Sequence, residues 1–118
     1  QNYVSSSTHT PSSFGNTVNV GGQYVGTASS EFHLYELDWS AEQMVFSVDG
    51  AVHLTYAPVV KDADTWPFDG PLYLLLNVAI EQSVSAEFES SQMEIDYVRV
   101  YAPGAGSNAS PVWSDEFD

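Results

Sequence analysis

A two-residue turn between two alternating stretches constrains the fold of this chain most. Residues 44–48 (MVFSV) alternate apolar side chains, and residues 51–56 (AVHLTY) follow directly after Asp49-Gly50. Asp-Gly between two such stretches favours a β-hairpin because both central turn positions need a positive φ. The sequence therefore predicts two antiparallel strands joined at this turn. The side chains of the first strand predicted to face inward are Met44, Phe46 and Val48.

Other stretches of the chain also have the pattern of strands. Residues 32–39 and 92–101 alternate with a period of two, and residues 112–117 form a final short stretch of the same kind. The run 72–80 (LYLLLNVAI) is almost wholly apolar but too short for a typical helix, which predicts a strand buried on both faces. With turn residues recurring between these stretches and no helical periodicity, the pattern favours an antiparallel β-sandwich. The chain supplies only part of the two sheets, and unpaired edges invite association.

The charge balance excludes several classes of partner. Sixteen Asp and Glu residues stand against only Lys61 and Arg99, which gives a formal net charge of −14. Nucleic-acid binding needs a cationic surface that displaces counterions, so no nucleic-acid partner is expected. Attachment to a membrane with anionic lipids is disfavoured for the same reason. A neutral substrate fits best, and solubility is the simplest role of the charge.

Cysteine is absent from the sequence. Disulfides, thiolate nucleophiles and cysteine-based zinc sites are therefore excluded. No apolar run approaches the roughly 20 residues that a membrane-spanning helix needs. The sequence begins at Gln1 rather than Met and has no signal-peptide pattern, which favours a processed product or a fragment.

Six segments of the chain resemble those of laminarinase-like members of glycoside hydrolase family 16. They are residues 7–17 (STHTPSSFGNT), 32–39 (FHLYELDW), 44–50 (MVFSVDG), 66–80 (WPFDGPLYLLLNVAI), 93–101 (MEIDYVRVY) and 113–118 (WSDEFD). The resemblance implies a β-jelly roll, a sandwich of two stacked, bent antiparallel sheets whose concave face forms a glycan cleft. It also implies a secreted protein that takes part in endo-hydrolysis of β-1,3-glucan such as laminarin, with retention of configuration.

The order of these segments differs from the order in the family. Residues 1–101 resemble the C-terminal half of the family domain, residues 102–111 read as a flexible linker, and residues 112–118 resemble the family's first strand. The resemblance therefore implies about half of a jelly roll, in a permuted, split or tandem arrangement. Because the family places its first and last strands side by side, a ten-residue linker can join them without changing the architecture.

The catalytic motif of the family is absent from the sequence. That motif, Glu-x-Asp-x-x-Glu, supplies a nucleophile and an acid/base about 5–5.5 Å apart for retaining hydrolysis. The resemblance therefore assigns no catalytic residue to this chain, which alone is expected to be inactive. Glu87 and Glu89 would lie roughly 6.5–7 Å apart on a strand, but their polar, acidic surroundings favour a solvated face.

Four residues are candidates for substrate binding, His9 through the resemblance and the other three through their residue type and position. His9 matches a histidine that lines the family's cleft, the alternative being an exposed or structural loop histidine. Trp66 and Phe68 offer stacking surfaces at the cleft rim, or else close one end of the sandwich. Asn77, polar in an apolar run, either reaches a sugar hydroxyl or satisfies the backbone.

The resemblance also implies a structural Ca²⁺ bound by Asp96, with Glu116 as a second donor. Carboxylate oxygens suit this hard cation, and its effect would be on stability rather than on catalysis. The alternative for Asp96 is an ordinary surface residue. His33 and His53 have no metal-ligand spacing and are assigned no role.

Three readings of the function stay open at this point. The first is part of a β-1,3-glucanase completed by a complementary chain that carries the catalytic strand. The second is a non-catalytic carbohydrate-binding module, and the third is a structural assembly in which two copies exchange strands. The substrate class is a β-glucan polysaccharide, but the sequence does not separate β-1,3-glucan from mixed-linkage glucan or a galactan.

Overall fold

The chain is all-β in a computed structural model that describes residues 2–14, 16, 18–80, 82–106 and 108–118. Within these ranges there are seven strands and one short 3-10 helix, and no α-helix. Every strand pairing is antiparallel, as predicted. The residues fall into two compact units, Gln1–Pro71 and Leu72–Asp118. No helix in the described part of the chain is long and apolar enough to cross a membrane.

The first unit begins with a two-stranded sheet. Strand β1 (Tyr3–Thr8) pairs with β2 (Asn19–Tyr24), so that Tyr3 lies opposite Tyr24. The connection between them contains the 3-10 helix Pro11–Ser13. Proline suits the first turn of such a helix because its missing N–H would have no partner there.

The predicted hairpin is confirmed in the second sheet of this unit. Strand β4 (Met44–Val48) pairs with β3 (Tyr35–Trp39) on one side and with β5 (Ala51–Tyr56) on the other. The turn residues Asp49 and Gly50 have φ of 50° and 80°, the positive values that their sequence indicates. Met44 and Val48 are only 4% and 2% exposed, so these side chains of β4 face inward as predicted.

Strand β3 begins three residues later than the alternation of 32–39 predicts. His33 is held by its side chain instead, because its ring nitrogens contact Asp49 at 2.7 Å and the Thr27 hydroxyl at 3.0 Å. The Leu34 N–H donates to the Asp49 carboxylate at 2.9 Å, and the Asp49 N–H donates to the Leu34 carbonyl. These contacts with the hairpin turn satisfy the backbone that a longer strand would have paired.

A close backbone approach brings the two sheets of this unit together. A Cβ atom added to Gly21 of β2 would lie 2.1 Å from the His53 carbonyl oxygen of β5, so only glycine fits there. Beside this approach, the Ser6 hydroxyl of β1 lies 2.8 Å from Nε2 of His53. The aromatic core of the unit lies where β4 begins and β5 ends, and consists of Met44, Tyr56 and Trp66, with Phe46 and Phe68 packed against it.

The prediction of a buried strand at 72–80 is wrong for this chain. These residues carry no strand assignment and all of them are exposed, Leu75 at 72% and Ile80 at 68%. A strand needs a neighbour for its backbone N–H and C=O groups, and no strand pairs with this run among the described residues.

The second unit is instead organised by a short antiparallel pair. Strand β6 (Val98–Val100) pairs with β7 (Trp113–Asp115), with Val98 opposite Asp115. Strand β6 is shorter than the predicted 92–101 because β7 pairs only three residues of it. In the connection, Ala105 N–H donates to Ala102 C=O across Pro103 and Gly104, whose φ is 71°. Such a turn, with proline followed by a glycine at positive φ, reverses the chain, and the two strands are neighbours as the resemblance implies.

Candidate functional site

One candidate residue, His9, lies on the loop after β1. His9, Thr10, Pro11 and Phe14 line an open depression on the surface of the first unit. His9 is exposed, and its Nε2 lies 3.2 Å from the Ser7 hydroxyl. Since the hydroxyl holds one ring nitrogen, the imidazole is oriented by the strand that precedes it. The structure thus places His9 where a ligand can reach it.

A buried hydrogen-bond network fixes the loop beneath this depression. Thr10 and Ser13 are each 4% exposed. The Thr10 N–H donates to Ser13 Oγ at 3.1 Å, and Thr10 Oγ1 lies 3.3 Å from the same oxygen. This reciprocal arrangement is a capping box around the 3-10 helix. It holds the residues before and after the helix in one geometry.

A second contact ties this loop to residues 62–66. The Ser12 N–H donates to the Asp64 carbonyl at 2.9 Å. The carboxylate of Asp62 accepts hydrogen bonds from the N–H groups of Asp64 and Thr65, at 2.9 Å and 3.0 Å. These bonds hold the pKa of Asp62 below its usual range, the bond from Asp64 being the largest cause. The loop that carries His9 is therefore braced by an ordered turn rather than by an open coil.

Trp66 and Phe68, both predicted to bind substrate, pack against each other and against Tyr56. The rings of Trp66 and Tyr56 are stacked with centroids 5.9 Å apart, and Phe68 meets Trp66 edge-on at 5.4 Å. Trp66 is only 4% exposed, and its indole N–H donates to Asp69 at 3.1 Å. With both faces of the indole largely covered, the packing favours the alternative that Trp66 closes one end of the core. Phe68 is half-buried in the same cluster.

The remaining predicted site residues lie in the second unit. Asn77 is exposed in the apolar run 72–80, and Asp96 is exposed just before β6. Glu116 forms two hydrogen bonds with Arg99, and these lower the pKa of its carboxyl group. The structure therefore groups His9, Trp66 and Phe68 in one unit and Asn77, Asp96 and Glu116 in the other.

The calcium ligands implied by the resemblance find no formed site in the described ranges. No group of three or more His, Cys, Asp or Glu side chains there is placed to hold a metal ion. Both carboxylate oxygens of Glu116 accept hydrogen bonds from Arg99, and its role as a Ca²⁺ donor stays a prediction. Calcium binding at Asp96 stays a prediction.

Glu87 and Glu89 do not lie on a strand, so they do not share one face of a sheet. Glu87 lies in a turn, where its N–H donates to the Ser85 hydroxyl at 3.2 Å, and both residues are exposed. This agrees with a solvated surface.

Three residues with specific contacts or an accessible position in the structure were not predicted from the sequence. Phe14 lines the depression beside His9, His33 bridges Thr27 and Asp49, and His53 contacts Ser6. The histidines gave no signal because their partners are distant in sequence and not metal ligands. Phe14 had a signal, since an apolar residue in the polar loop 7–17 has no strand or helix to face inward from.

Comparison with known proteins places the chain in a family. The family model for glycosyl hydrolases family 16 matches residues 1–99. A β-glucanase from Rhodothermus marinus is 33% identical over an alignment of 92 residues, and the match covers 69% of this chain and 32% of that protein. A keratan-sulfate endo-1,4-β-galactosidase from Sphingobacterium multivorum is 32% identical over 97 residues, covering 74% of this chain and 23% of that protein.

A solved structure extends the comparison to three dimensions. The crystal structure of a laminarinase from Flavobacterium sp. UMI-01 matches with a TM-score of 0.55 and 38% sequence identity, covering 58% of this chain and 30% of that one. The matched segments make up about a third or less of each relative's length. The resemblance read from the sequence is confirmed: this chain belongs to glycosyl hydrolases family 16, with the antiparallel strands of that family's β-jelly roll.

Proposed function

We propose that this chain forms one wall of the glycan cleft of a retaining endo-β-1,3-glucanase. The observation that carries the proposal is the 38% identity to a laminarinase whose structure also matches. The similarity to a β-glucanase supports the same substrate class. The net charge of −14 favours a neutral glucan over an anionic polysaccharide, since an acidic surface repels the latter.

In this proposal the chain binds and orients the glucan. His9 is the first contact, because it is exposed and its Nε2 is already engaged by Ser7. We assign its other ring nitrogen, Nδ1, to a sugar hydroxyl. The buried pair Thr10 and Ser13 then keeps the loop from moving away from the bound sugar, which lowers the entropy cost of binding.

Bond cleavage is assigned to carboxylates outside this sequence. Retaining hydrolysis needs one carboxylate as nucleophile and one carboxylic acid to protonate the leaving oxygen. The sequence contains no Glu-x-Asp-x-x-Glu, and the side chains of Glu87 and Glu89 lie exposed. We therefore propose that the chain alone does not hydrolyse glucan.

A complementary segment with the catalytic strand is the proposed partner. The exposed apolar run 72–80 supports this, since it offers unpaired backbone and apolar side chains to an added strand. A secreted location belongs to the same proposal, because an endo-acting enzyme must meet its polymeric substrate.

A chimera tests the proposal. Residues 1–99 would replace the equivalent segment of the Flavobacterium laminarinase, which retains its own catalytic strand. We expect the folded chimera to release reducing ends from laminarin, and the same chimera with His9→Ala to bind laminarin less tightly. A folded chimera with no activity on laminarin would contradict the proposal.

A further inference from the structure

We infer that Phe14 is a carbohydrate-stacking residue that forms, together with His9, a single sugar-binding position on the loop after β1. Phe14 is 88% exposed, among the most exposed large apolar side chains of the described residues. An aromatic ring left almost wholly in water contributes little to the core. The exposure leaves the ring accessible to a ligand, and the inference rests on the proposed glycan-binding function.

The position of Phe14 is set by a rigid support rather than by a loose loop. Phe14 directly follows the 3-10 helix Pro11–Ser13, with φ −55° and ψ 128°, and its N–H donates to the Pro11 carbonyl. The helix is closed by the buried Thr10–Ser13 network. A ring carried on such a support can stack on a ligand with little loss of conformational entropy.

The residues around the ring match the two chemical sides of a sugar. The depression is lined by Phe14 and Pro11, which are apolar, and by His9 and Thr10, which carry polar atoms. A pyranose ring has one face of C–H groups, suited to an aromatic surface, and a rim of hydroxyl groups, suited to an imidazole. Small-ligand sites commonly combine an apolar lining with a few polar groups that fix orientation.

Charge favours a neutral sugar over other occupants. The depression contains no Lys or Arg among its lining residues, and the chain as a whole is strongly acidic. An anionic sugar or phosphate would lack a cationic partner there. We therefore commit to a neutral hexose unit of a β-glucan as the occupant.

The test measures laminarin affinity of the 118-residue protein by isothermal titration calorimetry, with a β-1,4-galactan as the second probe. We expect Phe14→Ala and Phe14→Leu each to weaken laminarin binding roughly 3- to 10-fold, the range of a lost aromatic contact. Phe14→Tyr keeps the ring and should bind within about 2-fold of the parent. The matched control is Phe32→Ala, which removes a 66% exposed phenylalanine outside the depression and should leave affinity unchanged.

The outcomes separate this inference from the proposed function. If the parent binds laminarin and Phe14→Leu binds equally well, the stacking role is overturned while the glucan-binding function stands. If the parent binds only the galactan and loses it on Phe14→Ala, the stacking role stands and the glucan assignment fails. Binding of neither probe overturns both. Circular dichroism should show unchanged strand content in every Phe14 variant, since the side chain is exposed.

Discussion

Arg99 and Glu116 form a bidentate ion pair within the second unit. Arg99 Nε donates to Oε1 of Glu116 at 2.9 Å, and Nη2 donates to Oε2 at 2.8 Å. The guanidinium also lies 3.8 Å from the centre of the Tyr97 ring. Arg99 lies in β6 and Glu116 directly follows β7, 17 positions further along the chain. The ion pair therefore reinforces the pairing of the two strands.

The pairing of β6 with β7 should weaken in acid. Hydrogen bonding to Arg99 lowers the pKa of Glu116, so the folded state favours the ionised carboxylate. A carboxyl group of this kind adds stability above its unfolded pKa and loses it as the pH falls through the lower, folded pKa. We expect faster exchange of the Val112 amide, which donates to Val100, as the pH falls in that window. The measurement is amide exchange by NMR, corrected for the intrinsic pH dependence.

The variant Glu116→Gln removes this dependence if the ion pair causes it. At neutral pH its Val112 amide should exchange faster than in the parent, and the difference should vanish in acid. Glu89→Gln is the matched control because it removes an exposed charge from the same unit. Equal protection of Val112 in parent and Glu116→Gln at neutral pH would show that the pair adds nothing to the strand pairing.

The pKa of His33 should fall when its carboxylate partner is neutralised. The hydrogen bond that the His33 ring donates to the Asp49 carboxylate is the largest cause that raises the pKa of His33, and the same bond lowers the pKa of Asp49. The pair therefore stabilises the hairpin turn at pH values between the pKa of Asp49 and the pKa of His33. This stabilisation is lost as the pH rises through the folded pKa of His33, or as it falls through the folded pKa of Asp49. We expect Asp49→Asn, which tolerates the positive φ, to move the His33 titration towards 6.5 in an NMR experiment.

The control for this shift is Asp38→Asn, which removes a carboxylate from β3 of the same sheet. It should leave the His33 titration nearly unchanged because screening at the surface weakens distant charges. A His33 titration that is the same in Asp49→Asn and in the parent would contradict the contact between the two side chains.

The local hairpin was predictable from the sequence, whereas the state of 72–80 was not. Asp49-Gly50 determines its own backbone angles, and the alternation of 44–48 selects the inward face, so both depend on neighbours in sequence. The run 72–80 becomes a strand only if other strands pair with it, and such strands are not among the described pairings. An apolar pattern reports what a segment prefers to contact, not whether the contact is present.

Some features of the candidate site could likewise be predicted from the sequence, and others could not. The exposed position of His9 could be anticipated from its motif, because a loop histidine beside proline and serines has little to bury it. The burial of Trp66 could not, since it depends on stacking against Tyr56 from a different element. The pairing of Glu116 with Arg99 was also hidden, since the register of β6 against β7 brings these side chains together.

Replacing Gly21 with alanine should disrupt the first unit. The added methyl group would lie 2.1 Å from the His53 carbonyl oxygen, and a backbone atom cannot move aside cheaply. We expect Gly21→Ala to separate β2 from β5 and to lower the urea midpoint of unfolding strongly. Gly26→Ala is the control, since its nearest atom would lie 3.8 Å away, an ordinary contact. Similar midpoints for the two variants would contradict the close approach.

Ser13 should contribute measurably to stability through the capping box. Ser13→Ala leaves the buried N–H and hydroxyl of Thr10 without this partner, and we expect a loss of about 1–2 kcal/mol in the free energy of unfolding. The comparison is Ser5→Ala, which removes an exposed serine of β1 from the same unit and should cost less than half as much. Urea unfolding of both variants measures the difference, and equal losses would contradict the role of the buried network.

Laminarin hydrolysis by the isolated 118-residue chain tests the central claim most directly. The release of reducing ends would be measured for the chain alone and for the laminarinase chimera that contains residues 1–99. We expect no hydrolysis by the chain, which lacks Glu-x-Asp-x-x-Glu, and hydrolysis by the chimera, which regains that strand. Turnover of laminarin by the chain alone would contradict the claim that it supplies the cleft wall without the catalytic carboxylates.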